Sequence, residues 1–384
     1  MCRSCEPVAS LAKLSDAQLL DGLNAIENII LKATLPEWRE MITLENQLKQ
    51  QLLDAWNKRS KLAAKAAAAV IRRSSNPVKA SAVEAALKAA RREFNSLEAE
   101  MKPHIQAAVE DAMKLGISAM NKKFQGKYKG TLRYDFVPLS VLKATPDPKL
   151  RASFTLADQQ AAEALSDDLA FWVGDNYDAN LSESVRRIAE QSIINTGADP
   201  GRAADELEDV LAREYGYDPM NPHTGAYANI PVGWSGSTRD YFGGVAANAA
   251  TMGRVGGQLS AMRGVGASSY IIVNPLDERT CAECSYMAAE SAGSSMPVGD
   301  AYDHFQGMVG ATPDQIRNEL HPWLKLGQMV SRAGVSGKWG SGSGGKFIKA
   351  GLGFPPFHFK CRCTVDLAAD SEFAGEPGVT GGES

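Results

Sequence analysis

The chain has 384 residues, 44% hydrophobic and 22% charged, with six cysteines and a net charge of −4. That length allows two or three domains and a sizeable core, in a composition ordinary for a soluble protein. No apolar run approaches the roughly 20 residues a membrane span needs, which excludes a membrane-spanning class. The start, "MCRSCEPVASLAKLSDAQ", lacks the hydrophobic core of a signal peptide. A reducing cytoplasm is therefore the expected compartment, where cysteines at CxxC spacing serve as metal ligands more often than as disulfides. The charge is uneven. Residues 1–150 hold 24 Lys and Arg against 16 Asp and Glu, a surplus of eight positive charges; residues 151–384 hold the other 17 and 29, a deficit of twelve. The two parts are expected to face different neighbours. A basic helical part suits nucleic acid or an acidic protein surface, and a solvated helical face accounts for it equally well.

Taken in chain order, residues 16 to about 125 read as long helices. Ser15 is a candidate N-cap, followed by Leu19, Leu20, Leu23, Ile26 and Ile30 at helical spacing. Strong helix formers run on to residue 73, "SSNP" at 74–77 interrupts them, and a second stretch follows from Ser81 to Met120. Pro103 is expected to kink or split that stretch. Such Ala-, Lys- and Glu-rich helices suit an extended bundle or arm and carry no catalytic signature. The register changes over 126–160, and a domain boundary is placed near 150. Helices resume with "ADQQAAEALSDDLAFWVGDNY" and "LSESVRRIAEQSIINTG", then with "DPGRAADELEDVLAREYG", where Asp199 is the N-cap and Pro200 the first helical residue. The stretch "TRDYFGGVAANAATMGRVGGQLSAMRG" reads as a helix whose glycines imply close packing on a neighbour.

Beyond it, "SSYIIVNP" at 268–275 is the best strand in the chain, and "KCRCTVDLA" at 360–368 is the second. A short antiparallel sheet is expected, with a ligand cluster at its end from each side. Cys281 and Cys284 form one CxxC; His358 and Cys361 share that spacing, and Cys363 follows two residues later. Two thiolates from one tight turn reach one ion, so the five residues offer a zinc-like Cys₃His set with one donor to spare. Whether Cys361 or Cys363 is the fourth ligand stays open. All-protein ligation implies a structural zinc, not a catalytic one. The bland alternative is a set of buried free cysteines. Cys2 and Cys5 form another CxxC, read as part of a frayed terminus.

Other motifs carry less. "GSGSGGKF" at 340–347 fits GxxxxGK and GxGxxG, but Phe347 stands where a phosphate-binding loop needs Ser or Thr, and no apolar strand precedes it. A mobile loop that binds no nucleotide is expected. A zinc deaminase needs His-x-Glu ahead of Pro-Cys-x-x-Cys, whereas Thr280 precedes Cys281. Asp300, Asp303 and His304 form a loose polar group, read as a solvated loop. A helix is expected over "TPDQIRNELHPWLKLGQMVSRAG", and the last dozen residues read as a flexible tail.

At "DERTCAEC" and "PPFHFKCRC" the chain resembles the phage Mu F-like head morphogenesis family, the minor head proteins of tailed bacteriophages. Asp277, Thr280, Cys281 and Cys284 fit its first half-motif; Pro355, Pro356, His358, Cys361, Arg362 and Cys363 fit its second. The resemblance covers about 180–368, with an insertion at 285–350 longer than a minimal domain needs. It implies a non-enzymatic minor capsid protein in the virion, inside the capsid near the portal, after assembly in the host cytoplasm. The implied partners are portal and capsid proteins and packaged DNA, with no membrane and no small-molecule substrate. The resulting expectation is a mainly α chain with a small α+β C-terminal domain: a helical arm over 1–150, a head-morphogenesis domain over 151–368 with its sheet stapled by the Cys/His cluster, and a tail over 369–384. Two other classes remain, an enzyme or toxin domain within 285–350 and a zinc-containing nucleic-acid-binding module. The acidic surroundings of the cysteines, with Lys360 and Arg362 the only nearby cations in sequence, weigh against the last.

Overall fold

The computed structural model describes residues 36–125, 152–215, 238–274, 281–336, 344–368 and 371. The Ser15 cap and its helix, the Cys2/Cys5 pair, Asp277 and Thr280, and the tail apart from Ser371 lie outside them. Helix α1, Pro36–Arg72, opens on proline at its first position, where the missing N–H has no role in the helix. Its buried stripe of Leu48, Leu52, Trp56, Ala63, Ala67 and Ile71 follows the helical repeat. Ser74 closes it, its hydroxyl donating to the Ile71 carbonyl at 2.7 Å. Helix α2, Ala80–Phe94, turns back, and α3, Leu97–Phe124, follows. The stretch does split, but at Asn95–Ser96: Pro103 is carried inside α3, where it deprives only the Ala99 carbonyl of its usual partner.

The two helices expected between 157 and 197 are one, α4, Leu156–Asn195. No proline interrupts the sequence between them. Thr155 and Asp158 cap it reciprocally, Asp158 Oδ2 accepting from the Thr155 N–H at 2.8 Å. Helix α5, Pro200–Tyr215, starts as its sequence indicates, with Asp199 Oδ1 accepting from the Arg202 N–H at 2.8 Å. Helix α6, Thr238–Gly264, runs through the middle and is buried on almost every face from Tyr241 to Met262. It crosses α3 with backbones in contact. A Cβ on Gly257 would lie 2.1 Å from the Met113 carbonyl oxygen, and one on Gly116 would lie 2.2 Å from that of Arg254. The glycines that weaken α6 in isolation are what admit α3.

The rest of the chain builds a small layer on the end of these helices. Strand β1, Ser269–Val273, is followed by α7, Ala282–Gly293, β2, Met296–Pro297, α8, Val298–Gln306, and the single turn α9, Pro313–Gln315. A π-helical turn at Ile316–Leu320, α10 at Leu326–Ala333, α11 at Gly344–Lys349 and β3 at Thr364–Leu367 complete it. The sheet order is β2-β1-β3, antiparallel throughout, with Tyr270 opposite Leu367 and Val273 opposite Thr364. Beyond the two residues of β2, the α7 side chain Ser291 takes over that edge, its hydroxyl accepting from the Ile272 N–H at 2.8 Å.

Three expectations change here. The helix over 312–334 is broken between Leu320 and Lys325, because Pro322 cannot continue it. Asp300, Asp303 and His304 sit on a helix, with His304 Nε2 2.5 Å from the Leu320 carbonyl oxygen. Of the 340–347 stretch, residues 340–343 lie outside the described residues, and Gly344–Phe347 belong to α11, with Phe347 buried against Tyr286.

One hydrophobic cluster extends from Leu48 to Leu367 and includes side chains of every helix from α1 to α6. Residues 36–125 share it, so these helices are packed into the body of the protein. The two oppositely charged parts also pair with each other: Arg72 meets Asp205 at 2.6 Å, Lys102 meets Asp167, and half-buried Lys123 meets buried Asp366. No described helix is long and apolar enough to cross a membrane.

Candidate metal centre

The antiparallel pairing of β1 with β3 decides where the cysteines go. The chain leaves β1 after Val273 at the end where it enters β3 at Thr364, so Cys281 and Cys363 are delivered to one corner. The second cluster lies just before β3, not on it as its sequence implied. Cys281 is the N-cap of α7, its Sγ accepting from the Cys284 N–H at 3.4 Å. Cys284 sits in the first turn, and the CxxC spacing is thus a helix start rather than a free loop.

The opposite wall, 358–363, is held by α6. Asn248 Oδ1 accepts from the Lys360 N–H at 3.0 Å, the Thr251 hydroxyl donates to the Cys361 carbonyl at 2.9 Å, and the Thr364 hydroxyl bonds Gln258 Oε1 at 2.6 Å. Positions 248, 251 and 258 share a face of α6. Sequence reasoning missed this stripe; three polar side chains on one face of an otherwise apolar, glycine-rich helix were the available signal. Lys360 has a left-handed φ of 67°, which lets the chain turn sharply between His358 and Cys361. From the other side His321 grips the preceding segment, with Nε2 2.9 Å from the Pro356 carbonyl oxygen and its ring stacked on Phe354 at 4.9 Å. Arg362 turns away to Glu45 at 2.7 Å.

All five candidate ligands converge. Cys281, Cys284 and His358 bring their ligand atoms within 4.8 Å of one another, and so do Cys284, Cys361 and Cys363. Cys284 belongs to both groups: its Sγ is 3.1 Å from His358 Nε2 and 3.7 Å from Cys361 Sγ. Sulfurs around a tetrahedral zinc, each about 2.3 Å from the ion, stand roughly 3.8 Å apart, so this edge is already metal-sized. His358 Nδ1 lies 2.7 Å from the Phe359 carbonyl oxygen. An N–H donated there leaves the Nε2 lone pair facing the sulfurs, the orientation a metal-bound imidazole needs.

The electrostatics show how costly the cluster is without a cation. The hydrogen bond from Cys284, reinforced by His358, holds Cys281 down to about 5, and the same contact with Cys281, then Cys361, pushes Cys284 up. Burial opposes charge on His358, yet bonds to Cys281 and Cys361 raise its pKa to about 10. Buried thiols in contact cannot all ionise against one imidazolium, whereas a divalent ion would stabilise every thiolate at once. The four cysteines are free, and the cluster has the donors to hold a metal ion.

No family model, curated protein or solved structure matches this chain.

Proposed function

We propose that the chain is a non-catalytic minor head protein of the phage Mu F-like type, associated with portal and capsid proteins during head assembly and DNA packaging or delivery. Its C-terminal layer would be stapled by one zinc ion. The observation that supports this reading is the meeting of the two half-motifs. Cysteines 281 and 284 and the His358–Cys363 segment are more than 70 residues apart, yet they close on one point. A sheet whose longest strand has five residues is marginal alone. Metal binding that ties α7 to the segment before β3 would add folding free energy on the order of 10 kcal/mol. Zinc suits the donors, being the common ion for a mixed thiolate and imidazole set.

Two measurements test the two halves of the proposal. Elemental analysis of protein purified under reducing conditions, without added metal, should find about one zinc per chain. Cys281→Ser and His358→Ala should each lose the metal and lower Tm by 10 °C or more, a shift of roughly 8 kcal/mol at about 2.1 cal/mol/K of unfolding entropy per residue. Absence of metal, with both variants melting like wild type, would remove the staple. Separately, the chain should copurify with portal protein or with virions from infected cells. Its absence from both would remove the head assignment while leaving the metal centre untouched.

A further inference from the structure

We propose that the α1–α2 hairpin is a nucleic-acid-binding surface that grips the phosphate backbone of a duplex without reading its sequence. From Lys58 to Arg92 the chain carries ten Lys and Arg and a single acid, Glu84. The two helices form an antiparallel hairpin: the 73–79 connection joins one pair of ends, while the far end of α2 lies against the middle of α1, where Phe94 packs at a tilt on Trp56 with ring centroids 5.1 Å apart and Arg59 meets Glu93 at 3.7 Å. On α1, Lys58, Lys61, Lys65 and Arg72 recur at intervals of three, four and seven residues, one face of a helix. They span about 21 Å at 1.5 Å per residue. Lys88 and Arg92 are exposed on α2, and Arg73 and Lys79 on the connection.

Part of this charge is already engaged. Lys58 and Arg59 pair with Glu100 at 2.6 Å each, Arg72 pairs with Asp205, and Glu84 takes Arg186 at 2.7 Å. Lys61, Lys65, Arg73, Lys79, Lys88 and Arg92 have no carboxylate partner among the described residues. Six unpaired cations on one hairpin repel each other, and a polyanion relieves that repulsion.

The choice of nucleic acid over an acidic protein follows from what else the surface shows. A protein interface needs an apolar or aromatic centre. Among the described side chains of the hairpin, the only large apolar one exposed is Leu62, at 39%. Phosphate contacts need no such centre, only cations spaced along a rigid element. Among the described side chains from Lys58 to Arg92 no aromatic ring is exposed to stack on single-stranded bases, which favours a duplex. The inference stands on charge and exposure and does not depend on the head assignment.

Fluorescence anisotropy of the full chain with a labelled random-sequence DNA duplex of about 30 base pairs, across a salt series, tests it. Wild type should bind with log K falling linearly against log salt. The variant Lys61→Gln, Lys65→Gln, Lys88→Gln, Arg92→Gln, changed only at exposed positions, should keep its Tm. It should bind at least tenfold more weakly, with a slope shallower by up to about 3.6, at ~0.9 for each of four phosphates no longer neutralised. A control carrying Lys346→Gln and Lys349→Gln on α11 should bind as wild type does. Polyglutamate of equal charge should not displace the duplex. The proposal is overturned by no binding at 50 mM salt, by equal affinity of the fourfold variant, or by efficient competition from polyglutamate, which would point to an acidic protein partner. Each of these results is independent of whether the chain travels with the portal.

Discussion

His321 shows how much one buried side chain sets in this protein. It is 2% exposed, bonded through Nε2 to the Pro356 carbonyl and stacked on Phe354, so it steers the segment that ends in His358. Burial, followed by the nearby Arg317 charge, pulls its pKa down to about 3. The unfolded chain, with a histidine pKa of about 6.5, then binds a proton that the folded chain refuses. Stability is unaffected by this group above about pH 6.5 and falls by about 1.4 kcal/mol per pH unit as pH drops from there toward 3. His321→Gln keeps an N–H for the Pro356 carbonyl and cannot titrate. Urea denaturation at pH 7, 6, 5 and 4.5 should show the variant losing stability less steeply than wild type, by close to one proton. Parallel slopes would mean that His321 already carries a proton in the fold. Nothing in "NELHPWL" identifies this residue as buried; a histidine beside a proline reads as a loop until Phe354 and Pro356 are brought to it.

Among the elements, α6 is the one on which the others depend. Its glycines seat α3, and its polar stripe holds the segment from Lys360 to Thr364. Gly257→Ala would put a methyl 2.1 Å from the Met113 carbonyl oxygen, and backbone on both sides leaves it nowhere to go. Overpacking of that kind costs about 1–3 kcal/mol where side chains can adjust, so a loss at or above the upper end is expected by chemical denaturation. In α10, Gly327 has nothing within 4 Å of its would-be Cβ. Gly327→Ala is expected to stabilise by about 0.4–1 kcal/mol, chiefly through the unfolded chain. A neutral Gly257→Ala would mean that α3 and α6 are not in backbone contact. Glycine spacing in the α6 sequence indicated a close neighbour but not its identity. That required α3, more than 120 residues earlier, to present Met113 and Gly116 to it.

For the whole molecule, the shared core argues against treating the N-terminal helices as detachable. Removing residues 1–125 would strip α1 from α5 and α6, α3 from α6 and α2 from α4, and would uncover apolar side chains such as Phe242, now against Trp56, and Ala250, now against Met41 and Ala112. Such a chain should be insoluble or purify only as aggregates, read by gel filtration. A monodisperse, metal-binding fragment would show instead that the C-terminal layer folds independently.

The sequence by itself determined most helices, the Asp199 cap and strand β1, since these follow from local periodicity, capping chemistry and β-branched runs that need no distant partner. It also determined the five donors, because CxxC and HxxCxC spacing is local. Only the tertiary structure decided that both donor clusters reach one corner, that Cys281 caps a helix, that β2 exists, and that opposite charges of the two parts meet as Arg72–Asp205 and Lys123–Asp366. Apart from the Cys281 cap, each of those depends on groups brought together across 26 to 243 residues, with strand pairing and helix crossing supplying the contact, and neither leaves a pattern in any one stretch of chain.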